Sequence, residues 1–206
     1  MKIICLVGEI GTGKTTVAEM LENLGAEVIY SDDIAKAISL NPKYKAKLSR
    51  TFGKNILYKN GRLNRKKLAK IVFSNKNKLK KLDRIMLPLI IKELKKILSE
   101  KSRLEKLLKK EKKKEMKVVL EAPLLFRTNL YNRCDEILYI TCPEDLRIER
   151  VISKMNLSKE EAKLRVEGQD LIIPKDKVHY IINNNKGINH LRREIGKFCR
   201  HIQSKT

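Results

Sequence analysis

A chain of 206 residues is long enough to bury one substantial core, with room for inserted subdomains but not for several ordinary domains. Its composition is 42% hydrophobic, and no apolar run approaches the ~20 residues that cross a bilayer, which excludes a helical membrane protein and predicts a cytoplasmic globular one. Forty-seven Lys and Arg against 24 Asp and Glu give a net charge of +23, which raises nucleic acid as a partner, but aromatics are only 5% and do not interleave with the basic residues. The charge is therefore read as a lysine-rich surface suited to polyphosphate ligands, with no specific nucleic acid and only salt-sensitive adhesion.

The elements follow in chain order. "KIICLV" at 2–7 is a short continuous apolar run, as in a strand buried on both faces of a parallel sheet. "TTVAEMLENLG" has helical spacing through Val17, Met20, Leu21 and Leu24 and stops at Gly25. "AEVIYS" reads as a second strand, completing a βαβ unit. Residues 34 to about 98 read as helical pieces, one opened by Pro42, interrupted by a turn with "KNG" at its tightest point. From Pro88 onward, Ile91, Leu94, Leu98, Leu104 and Leu108 keep a helical period, which runs into the basic stretch "KKEKKKEMK", a solvated helix face or end. "KVVLEAPLLF" and "EILYIT" are the third and fourth strand signals. Thr141 with Glu144 and Ser158 with Glu161 fit capping boxes for two helices, "HYIINN" a fifth strand and "HLRREIGKFCRHI" a closing helix. The alternation predicts an α/β fold: a central, mainly parallel five-stranded sheet flanked by helices.

Cys5, Cys134, Cys142 and Cys199, with His179, His190 and His201, show no metal-ligand spacing. Cys5, inside an apolar run, is expected as a buried thiol, and no structural zinc is expected.

Between the first strand and helix, "GEIGTGKTT" at 8–16 matches G-x-x-x-x-G-K-[ST] at Gly8, Gly13, Lys14 and Thr15. Such a loop wraps phosphate with backbone N–H groups, and its glycines permit positive φ and close approach. The following helix points its N-terminus at the same phosphate. The candidate ATP-binding set is Gly8, Ile10, Gly11, Thr12, Gly13, Lys14, Thr15 and Thr16. Lys14 supplies charge between the outer phosphates, and the Thr15 hydroxyl is a candidate ligand for Mg²⁺. "SDD" at 31–33 ends the second strand. A carboxylate there either orients an acceptor hydroxyl and takes its proton or caps the next helix. Glu121, ending "VVLE", resembles the acid of a Walker-B strand and is the second candidate metal ligand; the alternative is an exposed strand end. Arg147, Arg150 and Lys154 share one helical face, as cations that fold over a nucleotide or as a basic surface stripe.

Together these residues resemble the dephospho-CoA kinase family over nearly the whole chain. The matching blocks are "GEIGTGKTTVAEML…GAEVIYSDDIAKAI", "FGKNIL…NGRLNRKKLAKIVFSN", "LDRIMLPLI", "VVLEAPLLF" with "CDEILYI", "RIERVISK", Gln169 and "YIINNNKGINHL", in that order. The resemblance implies a P-loop kinase fold in a single domain over 1–206, with a helical substrate-binding insertion at about 34–116 and a lid at about 143–176. It implies ATP-dependent transfer of the γ-phosphoryl to the ribose 3′-hydroxyl of dephospho-CoA, the last step of coenzyme A biosynthesis, with ATP and Mg²⁺ required. It makes Asp32, Lys14 and Arg150 the catalytic residues and adds Arg147 and Arg150 to the ATP set. The substrate set is Asp32, Arg65, Pro88, Pro123, Leu124 and Leu125. A monomer is favoured. The sequence departs from the family pattern at Tyr30 and Arg127 (acidic in the pattern), Leu87 (histidine), Lys154 (arginine) and His179 (aspartate), and the basic stretch at 101–117 is extra length. The rival readings are a nucleoside or nucleotide kinase on the same scaffold, a nucleic-acid-binding NTPase, and a family member that binds without catalysing.

Overall fold

The computed structural model describes residues 1–109, 116–123, 125–169 and 171–204. Its strands are β1 (Lys2–Val7), β2 (Glu27–Tyr30), β3 (Lys117–Glu121), β4 (Glu136–Thr141) and β5 (Tyr180–Asn183). They form one parallel sheet in the order β2-β3-β1-β4-β5. Its helices are α1 (Lys14–Asn23), α2 (Ser31–Leu40), α3 (Pro42–Phe52), α4 (Arg65–Phe73), α5 (Lys76–Lys109), α6 (Glu144–Met155), α7 (Lys159–Glu167) and α8 (Gly187–Gln203). The chain divides into two compact units, Met1–Tyr30 with Lys101–Thr206, and Ser31–Glu100.

In the first unit, β1 is central and buried from Ile4 to Val7, as its uninterrupted apolar run requires. Leu6 is level with Glu121 of β3 and Leu138 of β4, and Glu121 with Tyr30 of β2. The carboxyl ends of β1, β2 and β3 are therefore aligned. After β1 the chain turns toward β2, and after β3 toward β4, so β1 and β3 flank a switch point of the kind where open α/β sheets bind ligands. Val17, Ala18 and Leu21 of α1 and Leu191, Ile195, Phe198 and Ile202 of α8 pack with Ile4, Leu6, Val119, Leu138 and Ile182 into the main core. Phe198 is fully buried, and truncating it to alanine costs about 3–5 kcal/mol. His179, where the family pattern has an aspartate, continues the β4 pairing. Its Nδ1 accepts from the Ile137 amide (2.9 Å) and its own amide donates to the Ile137 carbonyl (3.0 Å).

The second unit has its own core of Leu48, Ile56, Leu68, Val72 and Met86. Asn41 caps α3 ahead of Pro42, and Asn64 caps α4. The expected turn is present: Leu57 pairs with Leu63 around Gly61, whose φ is +73°.

Several expectations need correction. β2 ends at Tyr30, and Ser31–Asp33 open α2 rather than finishing the strand. α5 begins twelve residues before Pro88, which sits inside it; the carbonyl left without its usual N–H is that of Arg84, an exposed residue that water can serve. Leu104 is exposed and Glu105 buried, because Glu105 pairs with the Met1 ammonium. The side chain of Leu108 and most of the basic run, residues 110–115, lie outside the described residues. Leu24 is the C-cap of α1 and is exposed. The Ser158–Glu161 capping box is present, but Thr141 caps nothing: it ends β4, and α6 starts at Glu144 behind Pro143. Cys5 is buried but not a thiol; it is bonded to Cys134, with the Cα atoms 5.8 Å apart. The parallel pairing of β1 with β4 explains this. Asp135 donates to the Ile3 carbonyl, which holds the preceding residue beside β1 although 129 positions separate the two cysteines.

Candidate active site

The stretch from Gly8 to Thr15 leaves the end of β1 as an open loop and enters α1 at Lys14. Gly13 is the N-cap of α1 and offers no side-chain acceptor, so the positive end of the helix stays available to an anion. Two of the glycines are required by close approach. Gly11 has φ +82°, and a Cβ there would lie 2.6 Å from the Arg147 carbonyl oxygen. Gly13 has φ +92°, and a Cβ would collide with the Asn184 side-chain nitrogen.

Donors hold four consecutive loop carbonyls. The Glu9 carbonyl accepts from Thr12 Oγ1 (2.9 Å) and Lys14 Nζ (3.0 Å). The Ile10 carbonyl accepts from Arg147 Nε (3.2 Å) and the Gly11 carbonyl from an Arg150 nitrogen (3.4 Å). The Thr12 carbonyl accepts from Asn184 Nδ2 (2.9 Å). Lys14 is only 8% exposed, unusual for a lysine and consistent with a charge kept inside a binding loop.

The α6 face carrying Arg147, Arg150 and Lys154 turns toward this loop. Arg150 also donates to the Asn184 carbonyl (3.0 Å) and to Cys142 Sγ (3.3 Å), and Lys154 donates to Thr15 Oγ1 (3.4 Å). Burial pushes the Cys142 thiol up, against the opposing pull of Arg150 and Arg147. Gln169, just past α7, accepts from the Ile10 amide through its side-chain oxygen. The Ile10 side chain packs on Val151, Ala162 and Val166 of α6 and α7. Tyr139 of β4 donates to both oxygens of Glu9 (3.1 and 3.2 Å). Burial is the main cause that raises the Tyr139 hydroxyl's pKa, the Glu9 charge adds to it, and Thr141 opposes it.

Thr15 stands in the first turn of α1 and Glu121 ends β3 level with Leu6. A hydroxyl and a carboxylate oxygen are both hard donors of the kind that suits Mg²⁺ alongside water and phosphate oxygens. Among the described residues no three His, Cys, Asp or Glu side chains cluster as a metal-binding group.

In the second unit, Asp32 is exposed in the first turn of α2, two residues beyond β2. Its neighbour Asp33 pairs with Lys36 (2.5 Å). Arg65, the first residue of α4, donates to the Lys36 carbonyl (3.0 Å) and to the Ser39 hydroxyl. Pro88 is exposed on α5. After β3, Pro123 is half-buried and Leu125, 1% exposed, is a core side chain. Leu124 lies outside the described residues. Asn184, Glu9 and Cys142 join the loop's surroundings although none was singled out as a site residue; Glu9 and Asn184 lie within blocks already matched to the family. Asn184 had one available signal, its place just past the carboxyl end of a strand.

The family model for dephospho-CoA kinase matches residues 2–190. A dephospho-CoA kinase of Fusobacterium nucleatum is 34% identical over 204 residues, 97% of this chain and 98% of that protein. The solved dephospho-CoA kinase of Campylobacter jejuni superposes with a TM-score of 0.64 at 30% identity, covering 100% of this chain and 99% of that one. A crystal structure from Thermus thermophilus gives a TM-score of 0.71 at 28% identity, covering 97% and 96%. The strand–loop–helix cradle, the cationic face of α6 and these full-length likenesses agree: the chain belongs to the dephospho-CoA kinase family.

Proposed function

We propose that this chain transfers the γ-phosphoryl of ATP to the ribose 3′-hydroxyl of dephospho-CoA, giving CoA and ADP. The observation that carries the reading is the Gly8–Thr16 loop at the mouth of α1, in a chain that matches the dephospho-CoA kinase family over residues 2–190. ATP docks on residues 8–16, with Lys14 between its outer phosphates. Thr15 and Glu121 would hold Mg²⁺, which when bound would neutralise developing charge on the phosphoryl oxygens. Arg147, Arg150 and Lys154 exchange loop carbonyls and the Thr15 hydroxyl for phosphate oxygens, which are stronger acceptors for a cation. Asp32 orients the acceptor hydroxyl and takes its proton late, as a loose phosphoryl-transfer transition state allows. Arg65, Pro88, Pro123 and Leu124 serve the acceptor. The segment at about 143–176, with its small core of Val151, Ala162 and Val166, acts as a lid that keeps water from the γ-phosphate.

The enzyme acts in the cytoplasm as a monomer and without a nucleic-acid partner. Among the described residues no helix is long and apolar enough to cross a membrane. ADP release with Mg²⁺·ATP tests the reading, with dephospho-CoA, nucleosides and nucleotides as alternative acceptors. Release that depends on dephospho-CoA and yields CoA supports it; release with another acceptor alone overturns the substrate.

A further inference from the structure

We propose that Asn184 is a positioning residue for nucleotide binding: its side-chain amide fixes the orientation of the Thr12–Gly13 peptide. Asn184 is 6% exposed and Thr12 is fully buried, and the 2.9 Å bond from Asn184 Nδ2 to the Thr12 carbonyl is wholly interior. A peptide unit directs its carbonyl and its N–H to opposite sides. Holding the Thr12 carbonyl on Asn184 therefore aims the Gly13 N–H away from Asn184, at the junction of loop and α1 where an anion meets the helix end. Asn184 is itself fixed: its amide donates to the Thr141 carbonyl at the end of β4 (2.8 Å), and its carbonyl accepts from Arg150 (3.0 Å). One residue thus ties the phosphate loop, the sheet and a cation of α6 together. The arginines that hold the Ile10 and Gly11 carbonyls carry charge that a phosphate would draw away. Asn184 is neutral and buried, so its bond persists when the nucleotide binds. Gly13 is the matching half of the arrangement, since any side chain there would collide with the Asn184 amide.

The inference rests on ATP as the ligand of the loop. The test compares Asn184→Leu (similar shape, no donor) and Asn184→Asp (same shape, an acceptor facing the Thr12 carbonyl) with the wild-type chain. The measurements are KM for ATP, KM for dephospho-CoA, kcat, the ATP dissociation constant and the nucleotide-free Tm. A lost buried bond predicts that both variants weaken ATP by about tenfold or more, with KM for dephospho-CoA unchanged. Unchanged ATP binding overturns the proposal, as does a parallel rise of both KM values with a fallen Tm, the mark of a merely structural role. A wild-type chain that binds ATP but ignores dephospho-CoA would sink the assigned substrate, while the dissociation constants still decide the role of Asn184. Should neither variant fold, the wild-type Asn184 side-chain amide protons decide by NMR: slow exchange in the free and ATP-bound chain supports the proposal, and exchange at the rate of a free amide overturns it.

Discussion

The Lys154 ammonium donates to the Thr15 hydroxyl at 3.4 Å, so a cation of α6 rests on the proposed magnesium ligand of the phosphate loop. A hydroxyl has two acceptor lone pairs, and a neighbouring ammonium weakens its grip on a second cation. If Thr15 holds the metal as proposed, Lys154 would exchange that hydroxyl for a phosphate oxygen. Lys154→Ala should lower kcat by about tenfold to a hundredfold through the lost charge-assisted bond, and should lower the Mg²⁺ concentration needed for half-maximal rate. Lys154→Arg should keep the rate, since its fork can also reach a phosphate. Steady-state rates against Mg²⁺ check both; an alanine variant with wild-type kcat would remove Lys154 from the reaction.

Asp32 stands exposed in the first turn of α2, where an acidic residue also favours the helix end. Capping and catalysis make different forecasts. As the group that orients the acceptor, Asp32→Asn should cut kcat by about a hundredfold or more and leave ATP affinity within about twofold. As a helix-end charge alone, the same change should cost a few tenths of a kcal/mol in stability and nothing in rate. Turnover measured beside calorimetric ATP binding separates them.

Lys14 reaches back to the Glu9 carbonyl from a nearly buried position. Lys14→Ala should weaken ATP and also depress kcat, because the same charge serves both ground and transition states. A variant that binds and turns over ATP normally would remove the argument that Lys14 and its loop carry the phosphates.

The sheet was legible because its strands are apolar runs and its first loop has a fixed spacing. β1, β3, β4 and β5 fall where their residues predict, and the phosphate loop with them. Pro88 misled because a proline usually bounds a helix, whereas α5 tolerates one at a point where its lost bond falls to an exposed residue. Arg147, Arg150 and Lys154 were legible as a face, but the partners of that face were not, since Ile10, Gly11 and Thr15 lie 137 to 139 residues away. The Cys5–Cys134 bond and the Asn184–Thr12 bond were hidden for the same reason: both arise from strand pairing at long sequence separation, which local spacing does not encode.

The cysteine pairing makes a countable forecast. Unfolded without reductant, the chain should present two reactive thiols, Cys142 and Cys199, and with reductant all four. While it is folded, both free thiols should react slowly at neutral pH, because burial is the leading cause that raises each above its ordinary pKa. Titration with a chromogenic disulfide reads all three conditions. Four thiols in unreduced, unfolded protein would mean that Cys5 and Cys134 stay reduced, with the β1–β4 register resting on backbone pairing alone.

Tyr139 gives the alkaline behaviour a sign. Its pKa is raised in the folded chain, so folding favours the neutral phenol. The corresponding stability is fully present below the unfolded value of about 10 and is lost as pH rises through the higher folded value. The self-repulsion of a chain of net charge +23 also varies with pH, so the wild-type melting curve alone mixes two effects. Tyr139→Phe separates them, because that background is common to both chains. At pH 7 the variant should be less stable by about 1 kcal/mol for the lost bonds to Glu9. Above pH 10 that gap should close, as the ionised phenolate of the wild type faces the Glu9 carboxylate. Paired denaturant titrations at pH 7, 9 and 10.5 measure the gap; a pH-independent difference would mean that the raised Tyr139 pKa is absent in solution.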